Sequence, residues 1–318
     1  MVELNAVYKK TGADYTLTNI TLSIAKGEAA AIIGRRASGK TALADIMSGC
    51  AYATQGSVTL GGYNMQKRPL LAKRSVGYVP QRSMLYPEMT VEEYITFVCS
   101  LKNVARKETK EHAARALLKA GASEYGGQLI RSAPRIAHQR AALAGALCGD
   151  PQALILDEPF SGLSPDEAES FRETIKSLKG KYSIALLTRS IREAALICDS
   201  VIILSKGAVA ARQSTENLLR TAGSQRRLKV RLKTVREKGL ELLRGIEGVE
   251  YAEALGCNES GTCDFAVESD IDVREGIFRA AARSDIALLS LSSLKLTLED
   301  IFSELAGGEE TGNESRIL

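Results

Sequence analysis

The chain lacks tryptophan, has only two histidines, and draws just 5% of its 318 residues from Phe, Trp and Tyr. With His112 and His138 as the whole histidine supply, a histidine-rich metal centre is excluded. No apolar run approaches the ~18 residues that a membrane-spanning helix needs. The start also lacks the apolar core of a secretory signal, so the chain is expected to be cytoplasmic. The surplus of base over acid, 42 Lys and Arg against 38 Asp and Glu, comes without a long basic run. It is too small to imply a nucleic-acid partner, and none is expected. Six cysteines (Cys50, Cys99, Cys148, Cys198, Cys257, Cys263) show no C-x-x-C spacing. They read as buried reduced thiols, with a Cys257–Cys263 disulfide as the lesser alternative. At this length an α/β chain can bury a full core and form two domains.

What is present is a phosphate cradle. Gly34-Arg35-Arg36-Ala37-Ser38-Gly39-Lys40-Thr41 follows the pattern G-x-x-x-x-G-K-[ST]. Ala29-Ala30-Ala31-Ile32-Ile33 before it reads as a strand buried on both faces. After it, Leu43, Ile46 and Met47 fall on one helical face and Gly49 suits the stop. A strand, a glycine turn and a helix N-terminus gather backbone N–H groups around an anion. Residues Gly34 to Ala42 are therefore the expected phosphate-binding set, with Lys40 reaching the outer phosphates and the Thr41 hydroxyl joining a Mg²⁺ shell. Upstream, Tyr8 and Tyr15 are candidates for stacking on a base; the alternative is an ordinary strand tyrosine.

Two further stretches carry chemistry. Val76-Gly77-Tyr78-Val79-Pro80-Gln81 reads as a strand ending on a glutamine. Ala153-Leu154-Ile155-Leu156-Asp157-Glu158-Pro159 reads as a buried strand with two carboxylates at its C-terminal end, where open α/β sheets bind ligands. Asp157 there would hold Mg²⁺ through water, and Glu158 would orient or deprotonate an attacking water. Between these stretches, Thr90 and Glu93 form a capping box for a helix, and residues 108–120 are amphipathic.

The order of P-loop, glutamine strand end, Gln139-Arg140, Leu154-Ile155-Leu156-Asp157-Glu158-Pro159 and Ser161-Gly162-Leu163 resembles the ATP-binding-cassette (ABC) ATPases, over residues 1 to about 218. The resemblance implies a P-loop cassette that takes ATP and Mg²⁺, with a helical subdomain near residues 85–150. It makes Gln81 the glutamine that joins Thr41 and Asp157 around the metal, and Glu158 the catalytic carboxylate. It also implies a second cassette, as homodimer or heterodimer, whose signature motif closes over this P-loop. The chain departs from the pattern in places. Where the family's signature serine and glycines stand, it has Ala133-Pro134-Arg135-Ile136-Ala137. Pro134 has no N–H to offer, and side chains at Arg135 and Ile136 stand where a backbone must approach closely. Ser164 replaces the usual aspartate, and Ala37 replaces a further P-loop glycine. Arg189 stands at the switch-histidine position, either as a guanidinium on the γ-phosphate in the manner of a cis arginine finger or as an eroded, solvated arginine.

Beyond a polar linker at 219–227, the order is strand 228–233, helix 235–244, strands 249–255 and 263–268, helix 272–283 and strand 286–291. This β-α-β-β-α-β order predicts a small ferredoxin-like domain. With an amphipathic helix at 297–305 it makes a C-terminal domain of 228–306, followed by a disordered tail at 307–318. The extension resembles that of ATPase subunits in ABC-2-type exporters. The expected function is then the ATP-binding subunit of an exporter, working with separate transmembrane ABC-2-type permease subunits and lying against the cytoplasmic membrane through them, with weak hydrolysis of its own. The alternatives are a soluble non-transport ABC ATPase and a non-hydrolysing, nucleotide-gated subunit.

Overall fold

A computed structural model describes residues 1–12, 14–82, 84–102, 104–218, 227–258, 261–269 and 271–293. The described chain divides into two compact units at Glu216/Asn217. No helix among the described residues is long and apolar enough to cross a membrane. The expected helix at 297–305, the tail at 307–318 and nearly all of the expected linker lie outside the described residues.

The first unit opens with β1 (Val2–Thr11) and β2 (Asp14–Ile24), followed by β3 (Ala29–Ile33), α1 (Lys40–Ser48), β4 (Gln55–Leu60) and β5 (Tyr63–Asn64). A short α2 (Pro69–Arg74) leads into β6 (Val76–Val79), and then come α3 (Val91–Leu101), α4 (Thr109–Lys119) and α5 (Arg135–Leu147). The unit continues through β7 (Ala153–Asp157), α6 (Pro165–Ser177), β8 (Ser183–Thr188), α7 (Ile191–Ile197), β9 (Ser200–Ser205) and β10 (Ala208–Ser214). Its strands form two sheets. One is antiparallel in the order β2-β1-β4-β5; the other is six-stranded in the order β10-β9-β3-β8-β7-β6, parallel except for the β10 edge.

Every residue of β3, β7 and β8 is buried, as expected of parallel strands covered on both faces. Leu4, Ile20 and Ile24 of the antiparallel sheet, Leu43 and Ile46 of α1, and Ile32 and Ile155 of the parallel sheet share one apolar core, which fixes α1 and the loop before it. The helical stretch forms as its caps dictate: Thr90 and Glu93 close a capping box on α3, and Ser164 and Glu167 close one on α6.

The second unit holds β11 (Arg227–Lys233), α8 (Arg236–Arg244), β12 (Val249–Cys257), β13 (Cys263–Ser269), α9 (Arg274–Arg283) and β14 (Ala287–Ser293). Its sheet is antiparallel in the order β12-β13-β11-β14. Phe265, Val230 and Leu232 of that sheet pack with Leu243 of α8 and Ile277 of α9 in a separate core.

The thiol reading needs two corrections. Cys257 and Cys263 form a disulfide, because the β12–β13 register sets them directly opposite with Cα atoms 4.1 Å apart. Cys50 is exposed, whereas Cys99, Cys148 and Cys198 are buried thiols.

The packing of α5 against β6 leaves no room at Gly77. A Cβ there would lie 2.2 Å from the Ala146 carbonyl oxygen, a backbone atom of α5 that cannot swing aside. Gly77→Ala is expected to lower unfolding stability by about 1–3 kcal/mol, read from denaturant melts.

Candidate functional site

Four neighbouring parallel strands each deliver one part of the site from the C-terminal end. In register, Val79 pairs with Leu156, Asp157 with Leu187, and Thr188 with Ile33. The residues just beyond, Gln81 after β6, Glu158 after β7, Arg189 after β8 and Gly34 after β3, emerge in one row. They border a cleft of about 580 Å³ lined by residues 35–42, Thr16, Gln81, Arg82, Asp157, Glu158 and Arg189.

The P-loop conformation follows from its small residues. A Cβ on Gly34 would meet Ser38 Oγ at 2.3 Å and the Leu204 carbonyl oxygen at 2.7 Å, so only glycine fits. Gly39 and Ala37 are both left-handed, at φ 97° and 63°. Glycine adopts that region freely, while alanine at 37 costs on the order of 1 kcal/mol. The turn leads into α1, which has no side-chain N-cap and whose first N–H groups lack partners within the helix, the arrangement that suits an anion. Lys40 Nζ donates to the Gly34 carbonyl at the root of the loop. Ser38 Oγ is buried inside the cradle and has no hydrogen-bond partner among the described residues, which fits a loop built to receive an anion with oxygen acceptors.

The carboxylates sit against this cation. Asp157 is 5% exposed. Burial first, and then the charge of Glu158, raise its pKa to about 6, with Lys40 pulling the other way. Burial likewise lowers the Lys40 pKa, opposed by Glu158. Glu158 takes an unusual φ of 47°, and its backbone N–H donates to the Leu187 carbonyl at 2.8 Å. Its carboxylate accepts from Arg189 Nε at 3.2 Å and from the Thr188 hydroxyl at 3.5 Å. Arg189 is 60% exposed, and its Nε is engaged with the Glu158 side chain, which is 13% exposed.

Thr41, Gln81 and Asp157 offer a hydroxyl, an amide and a carboxylate, all hard oxygen donors. Among the described residues no group of three His, Cys, Asp or Glu could hold a metal. A cation here would complete its shell with phosphate and water, as small hard cations do at nucleotide sites.

Other sequence-predicted residues lie elsewhere. Neither Tyr8 nor Tyr15 lines the cleft; their rings meet edge to face at 5.8 Å, and Lys10 covers Tyr15. Ala133, Pro134, Arg135, Ile136 and Ala137 are also absent from the lining. Pro134 is the N-cap of α5 without a side-chain cap, and Arg135 donates to the Ser161 carbonyl at 3.2 and 3.3 Å. The structure adds Thr16 and Arg82 to the cleft. Arg82 was within reach of the sequence reading, because it follows Gln81 directly.

A lysine-bearing glycine loop and two carboxylates at the ends of parallel strands define a P-loop nucleotide triphosphatase. Residues 17–161 match the ABC transporter family, so the chain carries an ABC transporter ATP-binding cassette domain, an ABC ATPase domain. It is 26% identical over 314 residues to the linearmycin resistance ATP-binding protein LnrL of Bacillus subtilis (strain 168), covering 96% of this chain and 98% of that protein. It is 28% identical over 226 residues to the Fe(3+) ions import ATP-binding protein FbpC of Escherichia coli (strain K12), covering 70% of this chain and 65% of that protein. The dimeric post-hydrolysis state of the cassette MJ0796, bound to ADP and Pi, superposes with a TM-score of 0.60 at 25% identity, covering 68% of this chain and 99% of that one.

The raised Asp157 pKa has a stability consequence with a definite sign. The ionised carboxylate is penalised by folding, so the penalty is complete above pH 6 and fades as pH falls toward the ordinary aspartate value. Asp157→Asn is expected to stabilise the chain without added nucleotide by on the order of 1–3 kcal/mol at pH 7.5. The gain should shrink steadily as pH falls toward about 4, in melts of the two proteins compared across pH.

Proposed function

We propose that the chain is the ATP-binding and ATP-hydrolysing subunit of a membrane exporter, acting at the cytoplasmic face through separate transmembrane subunits. The observation that carries the catalytic part is the single cleft containing Lys40, Asp157 and Glu158. Residues 34–42 and Lys40 bind the phosphates, and Thr41, Gln81 and Asp157 hold Mg²⁺. The metal, when bound, neutralises phosphate charge. Glu158 orients and deprotonates the attacking water, with Arg189 holding its carboxylate in place.

The export direction draws support from the near full-length correspondence with a resistance protein, which includes the second unit. The likeness to an iron-import ATPase covers less of the chain. An ABC-2-type permease is the partner class proposed, with a second cassette completing each site. The proline and arginine at 134 and 135 offer that second site a poor set of donors, so the chain by itself is proposed to hydrolyse slowly. Losing one preorganised donor already costs roughly a hundredfold in rate.

Calorimetric titration tests the binding half. Lys40→Ala is expected to weaken ATP by about 1.5–3 kcal/mol, the value of a charge-assisted contact; equal affinity for both proteins would overturn it. Steady-state ATPase assays test the rest. The isolated chain is expected to turn over slowly, and the complex co-purified with its membrane partner faster, with Glu158→Gln abolishing both. A fast isolated chain would overturn the reading of residues 133–137.

A further inference from the structure

We infer that Cys99 and Cys148 are a peroxide-responsive thiol pair, which closes to a reversible disulfide between the ends of α3 and α5. Cys99 lies in the last turn of α3, and Cys148 is the C-cap of α5. Both side chains are buried, and the two sulfurs are 2.8 Å apart. A disulfide bond is ~2.05 Å long, so less than about 1 Å separates contact from bonding. The pair spans 49 positions and meets only because α3 packs against α5. Neither cysteine lines the nucleotide cleft, and the proposed hydrolysis uses neither.

The surroundings give the two thiols different roles. Cys99 Sγ donates to Cys148 Sγ, which in turn donates to the Ile95 carbonyl at 3.7 Å. When Cys99 loses its proton, Cys148 turns its S–H onto the thiolate. That hydrogen bond holds the Cys99 pKa below its ordinary value, against the effect of burial, and pushes that of Cys148 up. Three further titratable groups face the pair: Lys102, Asp150 and Tyr94. Lys102 is the C-cap of α3, and its ammonium favours a thiolate that the helix C-terminus and Asp150 disfavour. Burial lowers the Lys102 pKa, and the two thiols oppose that. Its Nζ is held in place by donating to the Val76 carbonyl at 3.1 Å. Asp150 is partly neutralised by Lys119 at 3.5 Å and His112 at 3.7 Å. Cys99 is therefore the nucleophile and Cys148 the resolving thiol.

Hydrogen peroxide is the co-reactant, and it is small enough to enter as the last turn of α3 frays. The same burial keeps bulky disulfides out. The Cys99 thiolate attacks one peroxide oxygen, the O–O bond breaks and hydroxide leaves, which makes Cys99 a sulfenic acid. With the thiolate charge gone, Cys148 gives up its proton and attacks the Cys99 sulfur. The S–S bond forms, the S–O bond breaks and a second hydroxide leaves. The two thiol protons convert the hydroxides to water: the thiols are oxidised by two electrons, and one peroxide becomes two waters.

The test treats the full chain in native buffer with about one equivalent of hydrogen peroxide and maps its cysteines by mass spectrometry without reduction. Wild type and Cys50→Ser, which removes the exposed competing thiol, are both expected to yield the Cys99–Cys148 cross-link. Dithiothreitol in native buffer should reopen it. Cys148→Ser should accumulate a dimedone-reactive sulfenic acid at Cys99, whereas Cys99→Ser should leave Cys148 unmodified. Lys102→Met should slow cross-linking about tenfold near neutral pH, with the rate recovered above the ordinary thiol pKa. Oxidised wild type should melt about 5 °C or more above the reduced protein, a shift absent from Cys99→Ser. Recovery of both cysteines as free thiols overturns the inference, as does a cross-link that forms or reopens only in denaturant, or one that lowers the melting temperature. Sulfenic acid on Cys148 instead of Cys99 overturns the assigned roles, and equal slowing of Lys102→Met at every pH overturns the part given to its charge. Wild type and Cys50→Ser decide the bond by themselves, so the result does not depend on the buried variants folding.

Discussion

The site depends on the level alignment of four parallel strand ends. Because β6, β7, β8 and β3 run in one direction and pair with Val79 against Leu156, Asp157 against Leu187 and Thr188 against Ile33, their following residues emerge side by side. A slip of one residue in any pair would turn a whole strand's side chains to the opposite face. That slip is blocked by burial, since β3, β7 and β8 are enclosed along their whole length. The catalytic geometry is thus held by apolar packing well below the cleft, and the polar residues inherit their positions from it.

Within the cleft, the charges hold one another in forms they would not take alone. Burial works against ionisation of both Lys40 and Asp157, and each opposes that effect on the other. Glu158 sits between them and Arg189, with its backbone at a φ that non-glycine residues seldom adopt. Ala37 takes a similar conformation in the P-loop. Both residues sit where a buried strand hands over to the site, β3 before the P-loop and β7 before Glu158.

The parts legible in the sequence were those written in consecutive residues. The glycine loop, the buried strand ending in Asp157 and Glu158, and the capping box at Thr90 each carry their own local signal, and the structure builds each element where the pattern puts it. What stayed hidden depends on pairing between distant residues. The Arg189–Glu158 ion pair spans 31 positions and exists only because β7 and β8 are neighbours. Spacing alone offered two roles for Arg189, and neither was a contact with the carboxylate. The Cys257–Cys263 disulfide was underrated for the same reason: along the chain five residues intervene, while hairpin register makes the two cysteines direct partners. Tyr8 and Tyr15 show the reverse case. The sequence left them open between stacking on a base and an ordinary strand role; their rings meet each other, and neither lines the cleft.

The start of α5 is physically unlike the start of α1, although both open a helix in the same unit. Gly39 caps α1 in a left-handed conformation, and the helix opens on Lys40. Before α5, Pro134 contributes neither an N–H nor a side-chain cap. Arg135 then reaches back to the Ser161 carbonyl, three residues beyond Glu158, so the opening of α5 is tied to the loop that follows the carboxylate strand. The Gly162 beside it takes φ 77°, and a Cβ there would come within 3.3 Å of Arg135 Nε, so the small residue makes room for the guanidinium. Pro134 and Arg135 together give α5 a start that braces a neighbouring loop. The cleft's cations and carboxylates stand on other elements, the P-loop with α1 and the ends of β6, β7 and β8. The brace at residue 135 and the phosphate cradle at residues 34–41 therefore rest on separate contacts in this fold.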